Sequence, residues 1–165
     1  MKKLLIGLIT VLMMFSIFGC SDKYEGLKKT EKDLFEIYVP ETYKEQQIEG
    51  YDYVGYDDNT SMIVFHETIS ALEPLGVSEN TTLEVYAELV LQANKMDNSF
   101  EMDKEGNLAI EYESDVDGED FYYYTAVKKA EGNFFVVTCS CYKDEAENYK
   151  DEFSKWISSF KTIEK

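Results

Sequence analysis

The sequence predicts an α+β fold: an antiparallel sheet of five to six strands flanked by two main helices, preceded by a signal-peptide helix. Three observations predict it. Six short segments read as strands, most of them alternating apolar and polar residues. Two segments repeat apolar residues at helical spacing. Tight-turn residues link successive strands, and strands joined by tight hairpins must run antiparallel.

The chain opens with Lys2 and Lys3, then an uncharged run from Leu4 to Phe18. That run is about 15 residues long, within the range of a secretory signal, whereas a membrane-spanning helix needs about 20. It ends in Ile17-Phe18-Gly19-Cys20, followed by polar Ser21-Asp22-Lys23. This junction resembles the lipobox of bacterial lipoproteins. Phe18 departs from the pattern, which has a smaller residue there. The resemblance implies that residues 1–19 are removed and that Cys20 is the site of lipid attachment, with palmitate-like acyl chains. Two or more chains anchor stably where one does not. Segment 20–33 is predicted to be a lipidated tether that can run into a first short strand, and 34–165 the folded domain. The expected location is the extracytoplasmic face of the cell membrane.

Phe35 to Val39 reads as a strand ending at Pro40. Tyr51–Tyr56 and Met62–Thr68 are predicted to form a hairpin across Asp57-Asp58-Asn59-Thr60. Residues 70–80, with Pro74 and Gly76, read as a loop. Thr81 and Glu84 have capping-box spacing. Leu83, Tyr86, Ala87, Val90 and Leu91 then mark one face of a helix running to about Met96. Asn107–Glu113 and Phe121–Lys129 are strands joined at Asp117-Gly118, a favoured hairpin turn. Phe134–Tyr142 is apolar on both parities as far as Val137, the mark of a central strand. A closing helix carries Ala146, Tyr149, Phe153, Trp156, Ile157 and Phe160 as its apolar stripe.

Phe35-x-Ile37-x-Val39-Pro40-x-x-Tyr43 resembles the opening of PsbP-like domains. These are α/β/α sandwiches, also seen in a nuclear-transport factor that binds the small GTPase Ran. The strand Gly132-Asn133-Phe134-Phe135-Val136-Val137-Thr138 and the helix ending Trp156-Ile157-x-x-Phe160-Lys161 resemble that family's closing segment. The resemblance covers roughly residues 34–162 and implies accessory subunits or binding proteins. It implies no cofactor, and fold alone does not give function.

The chain carries a formal net charge of −17. Lys2 and Lys3 are its only charges before Cys20, so the part after it carries −19. All its cations after Cys20 are lysines. Nucleic-acid binding, which needs a basic patch, is excluded. The expected partners are the membrane, through the lipid, and an unknown protein or small ligand.

Candidate chemistry is sparse. His66 is the only histidine; a hydrolase would need a nucleophile beside it, and no G-x-S-x-G elbow exists. Enzymatic activity is not expected. Cys139 and Cys141 read as two small buried residues on one strand face, with a strained redox pair or soft-metal site as the alternative. Glu113, Asp115, Asp117 and Gly118 fall at positions 1, 3, 5 and 6 of a calcium loop, with Glu119 next to them. Position 12 is Tyr124, where a bidentate glutamate belongs. The match is degenerate and reads first as an acidic hairpin; Asp115, Asp117 and Glu119 are the Ca²⁺ candidates if it binds one. Tyr122, Tyr123 and Tyr124 are the candidate partner-binding residues, since exposed tyrosines suit protein, peptide or sugar contacts. Core or sheet packing is the other reading of these rings.

Overall fold

A computed structural model describes residues 24–163. The predicted signal segment 1–19 and Cys20 lie outside the described residues. The first strand comes early. Leu27–Glu31 forms β1 and pairs antiparallel with β2, Phe35–Pro40, with Leu27 opposite Pro40 and Glu31 opposite Glu36. Part of the segment read as tether is therefore an edge strand. Its Lys28, Lys29 and Glu31 face solvent, and charge on an edge discourages pairing with another chain. Lys28 Nζ donates to the carbonyls of Glu41 and Tyr43, at 3.2 and 2.6 Å, tying β1 to the turn after β2.

The main sheet contains β3 (Lys44–Glu45), β4 (Tyr53–Tyr56), β5 (Thr60–Thr68), β6 (Glu101–Met102), β7 (Leu108–Val116), β8 (Glu119–Ala130) and β9 (Asn133–Tyr142). Their order is β3-β4-β5-β9-β8-β7-β6, and every pairing is antiparallel. The seven strands exceed the predicted five to six because β3 and β6 are two-residue edge pieces too short to show a period. β2 lies in a separate small sheet, between β1 and β10 (Lys161–Thr162). The strand predicted to be central, β9, is central, and Phe134 to Val137 are all buried. Asp117 and Gly118 both have positive φ, +56° and +88°, the pair of left-handed conformations that a type I′ hairpin requires.

The predicted loop 70–80 contains a short helix, α1 (Ile69–Leu72), and a 3₁₀ turn, Glu73–Leu75. Thr68 Oγ1 caps α1 by accepting from Ala71 N at 3.2 Å. The next helix, α2 (Leu83–Asn94), starts one residue later than the capping-box spacing predicts: its cap is Thr82, not Thr81. Thr81 instead accepts from Ser78 N within the preceding turn, at 2.9 Å. The last helix, α3 (Ala146–Ser158), follows a 3₁₀ turn at Lys143–Glu145.

These elements make three layers. On one face of the main sheet, Phe153, Trp156 and Ile157 of α3 and Phe35, Ile37 and Val39 of β2 pack onto Met62, Val64, Phe135 and Val137. On the other, Tyr86, Ala87 and the α1 residues Ile69 and Leu72 pack onto Val127, Phe134 and Val136. Each such side chain taken fully out of water stabilises the fold by roughly 1.5–3 kcal/mol before entropy is counted. The Tyr86 hydroxyl also donates to Glu67 at 2.5 Å, fixing α2 to the end of β5.

Candidate functional site

The three consecutive tyrosines of β8 do not form one surface. Successive side chains of a strand point to opposite faces. Tyr122 and Tyr124 point toward α3 and are 6% and 3% exposed, within the main core. They are unavailable to a partner, which corrects their reading as binding residues. Burial first, and then neighbouring acids, pushes both hydroxyls well above the usual tyrosine range. Tyr123 lies on the other face, half-buried, with its ring stacked on Tyr112 at 5.0 Å and 8°.

The acidic hairpin is where the sequence placed it. Asp115, Asp117 and Glu119 are exposed at the β7–β8 tip. Asp115 Oδ1 accepts from Gly118 N at 3.2 Å, as a turn aspartate does. Among the described residues no three His, Cys, Asp or Glu side chains are grouped as metal ligands, and the flanking strands give the tip a hairpin's geometry, not that of a loop between helices.

Cys139 and Cys141 lie on the core face of β9, buried, with free thiols. Cys139 faces Met62 on β5 and Tyr124 on β8. Burial pushes the Cys139 thiol well up and lifts Cys141 to about 11.

One open concavity was only partly legible in the sequence, where His66 was singled out and its neighbours were not. An open cleft of about 900 Å³ lies between the start of β2, the segment 45–52 and His66 on β5. Its acids include Glu31, Asp33, Glu49 and Asp52. Lys32 also lines it and is paired with Glu45. His66 Nδ1 lies 2.9 and 2.8 Å from the two carboxylate oxygens of Asp52. A neutral imidazole that donates Nδ1–H to a carboxylate keeps Nε2 as its acceptor. Asp52 precedes β4, and its backbone N–H donates to Val64 at 2.9 Å, so the β4–β5 register places the acid beside the histidine. No serine, threonine or cysteine lines this cleft. With five acids and one lysine along it, the cleft suits holding a polar or cationic group.

No protein-family model matches the chain, and no curated protein matches it in sequence. Solved structures do match in fold. A protein from Bacteroides thetaiotaomicron VPI-5482 superposes with a TM-score of 0.53 at 12% identity, over 79% of this chain and 46% of that one. The chain thus spans less than half the length of that protein. The solution structure of cyanobacterial PsbP from Synechocystis sp. PCC 6803 gives 0.50 at 17% identity, over 90% of this chain and 99% of that one. A mutant of the protein Mog1 gives 0.50 at 12% identity, over 84% and 96%. At these identities the likeness lies in the fold: this chain has the α+β sandwich architecture of PsbP and Mog1.

Proposed function

We propose that this chain is an exported lipoprotein, held on the outer face of a bacterial membrane by lipid on Cys20, that serves as a binding or accessory module through contacts with another protein. The observation that carries the reading is the junction Ile17-Phe18-Gly19-Cys20, which lies only seven residues before β1 begins at Leu27. Seven extended residues reach at most about 25 Å. A domain on so short a leash works close to the bilayer, where its partner must also be reached. The sandwich fold shared with PsbP and Mog1 is compatible with an accessory role and does not by itself assign one. The cleft that holds the His66–Asp52 pair gathers five acids and one lysine, which supports a binding role.

A second reading is favoured by that same cleft. Its carboxylates and paired histidine suit a small cationic ligand, in which case the protein is a ligand-binding lipoprotein.

The test is fractionation and intact mass of the protein purified from its host. Acylated Cys20 and membrane recovery are expected, with loss of both in Cys20→Ser. An unmodified residue 20, or a retained leader, sinks the anchoring claim. Crosslinking in intact membranes is expected to recover one reproducible protein partner, and its repeated absence counts against the module claim.

A further inference from the structure

We propose that the open edge of β7, from Ile110 to Val116, accepts an added strand from the partner protein: an extended segment with lysine or arginine at alternate positions and apolar residues between them. This rests on the protein-contact reading above and names the surface and the chemistry of the partner.

The edge is open over most of its length. β7 pairs with β8 from Leu108 to Val116. On its other side β6 covers only Leu108 and Ala109. Seven residues, on the order of 23 Å of strand, are left without a neighbouring strand among the described residues. The opposite edge of the sheet is better closed: β3 pairs Tyr56 and Gly55, and Gln46 N donates to Val54 at 2.9 Å. An unpaired edge presents backbone N–H and C=O groups ready to bind an extended chain.

Charge selects the occupant. Glu111, Glu113 and Asp115 alternate along one face of this edge, and all three are exposed. With Asp117, Glu119 and Asp120 they make six acids in ten residues, and no lysine occurs between Glu105 and Val127. Lys143 reaches across to Glu113 at 2.6 Å, but both side chains are about half exposed and such pairs are weak. A second copy of β7 would set these acids against their own kind, which is destabilising. A cationic strand gains what the second copy loses. The other face of the edge carries Tyr112, Ser114 and Val116. Tyr112 is braced by Tyr123, and Val116 is 45% exposed. An apolar side chain arriving beside Tyr112 buries area against an already ordered ring.

The test uses the full chain purified in detergent and a synthetic peptide of about eight residues alternating lysine and valine, with a glutamate–valine peptide as control. Backbone amide exchange is read along β7. Slowed exchange confined to residues 110–116 is expected with the lysine peptide and not with the control. In the double variant Glu111→Lys, Glu113→Lys, affinity is expected to fall at least about tenfold, with the circular dichroism spectrum unchanged because both side chains are exposed. Glu113→Pro, compared with the uncharged and isosteric Glu113→Gln, removes a backbone donor that points away from β8 and provides a variant expected to weaken binding beyond the loss of charge. Unchanged exchange at β7, or undiminished binding by both the double variant and Glu113→Pro, overturns the proposal. So does protection of these amides that grows with protein concentration and needs no peptide, since the edge then pairs with a second copy. A crosslinked membrane partner recovered in full by the charge-reversed variant removes this edge as its site while leaving the accessory reading intact.

Discussion

The hydroxyl of Ser154, on α3, donates to the Asp103 carboxylate at 2.7 Å and fastens the loop before β7 to the last helix. The same carboxylate accepts from the backbone of Glu105 and Asn107, from the Asn107 side chain at 2.7 Å, and from the Tyr124 hydroxyl. Asn107, itself buried, donates onward to the Ser154 carbonyl at 3.0 Å and accepts from Lys128 at 2.6 Å. One acid thus joins three elements: the turn at the edge of the sheet, the middle of β8 and α3.

Asp103→Ala is expected to cost about 2–3 kcal/mol of stability, because it removes several charge-assisted bonds and leaves buried donors without an acceptor. The pH dependence follows from the same contacts. Burial pushes the Asp103 carboxyl up, but the bonds from Tyr124, Ser154 and Asn107 outweigh it and hold it at about 2. An unfolded aspartate titrates near about 3.9. The contribution is therefore complete above that value and is lost as pH falls through about 2. Urea midpoints between about pH 6 and pH 2 are expected to converge for the wild type and Asp103→Ala at the acid end. A gap that stays constant with pH contradicts the assignment.

Such clusters are hard to see in sequence because they are assembled by register. Asp103 lies in a charged turn, Asp103-Lys104-Glu105-Gly106, and reads as solvated. Asp52 and His66 meet only because β4 and β5 pair with Tyr53 opposite Val64. What was legible is what local physics fixes. The Asp117-Gly118 turn, the double-sided burial of β9 and the stripe of α3 each follow from residues within one or two turns of each other. The strand β1 was half hidden because Leu27 is its only large apolar residue. The helix α1 was hidden by the Pro74 and Gly76 that follow it.

Gly55→Ala is expected to destabilise the fold by about 1–3 kcal/mol, as overpacking of a filled site does. The Tyr53 ring lies over Gly55, so a Cβ there would run into the end of that ring and would sit 2.8 Å from Cδ2 of Tyr43. Both rings are buried, and the Tyr43 hydroxyl is held to Thr60 at 2.9 Å, so neither has room to swing away. A double-mutant cycle checks the cause: in a Tyr53→Ala background the penalty for Gly55→Ala is expected to shrink by half or more. Equal penalties in both backgrounds would assign the effect to the backbone.

Cys139 and Cys141 are expected to be inert in the folded protein. The thiolate is the reactive form, and burial holds Cys139 well above the ordinary thiol range and Cys141 at about 11. Iodoacetamide at about pH 8 is expected to modify neither in native buffer and both in urea, read by peptide mass after digestion. Rapid native labelling of Cys141 alone would mean that the end of β9 opens more readily than its packing implies.

The three tyrosines of β8 give the sharpest contrast between neighbours. Tyr124→Ala is expected to cost about 3 kcal/mol or more, since it empties a core site and removes one of the donors to Asp103. Tyr122→Ala is expected to cost about as much, because its ring stacks 6.3 Å from Phe153 in the same core. Tyr123→Ala is expected to cost about 1 kcal/mol, the value of a half-buried cross-strand ring pair. Three identical side chains in a row offer no apolar contrast from which to read a face, so only the fold separates them. Chemical denaturation of the three variants measures the order directly. A loss at Tyr123 equal to the other two would mean that its face is covered as well, and that the stacked pair Tyr112–Tyr123 belongs to a packed interior and not to the surface beside the open edge of β7.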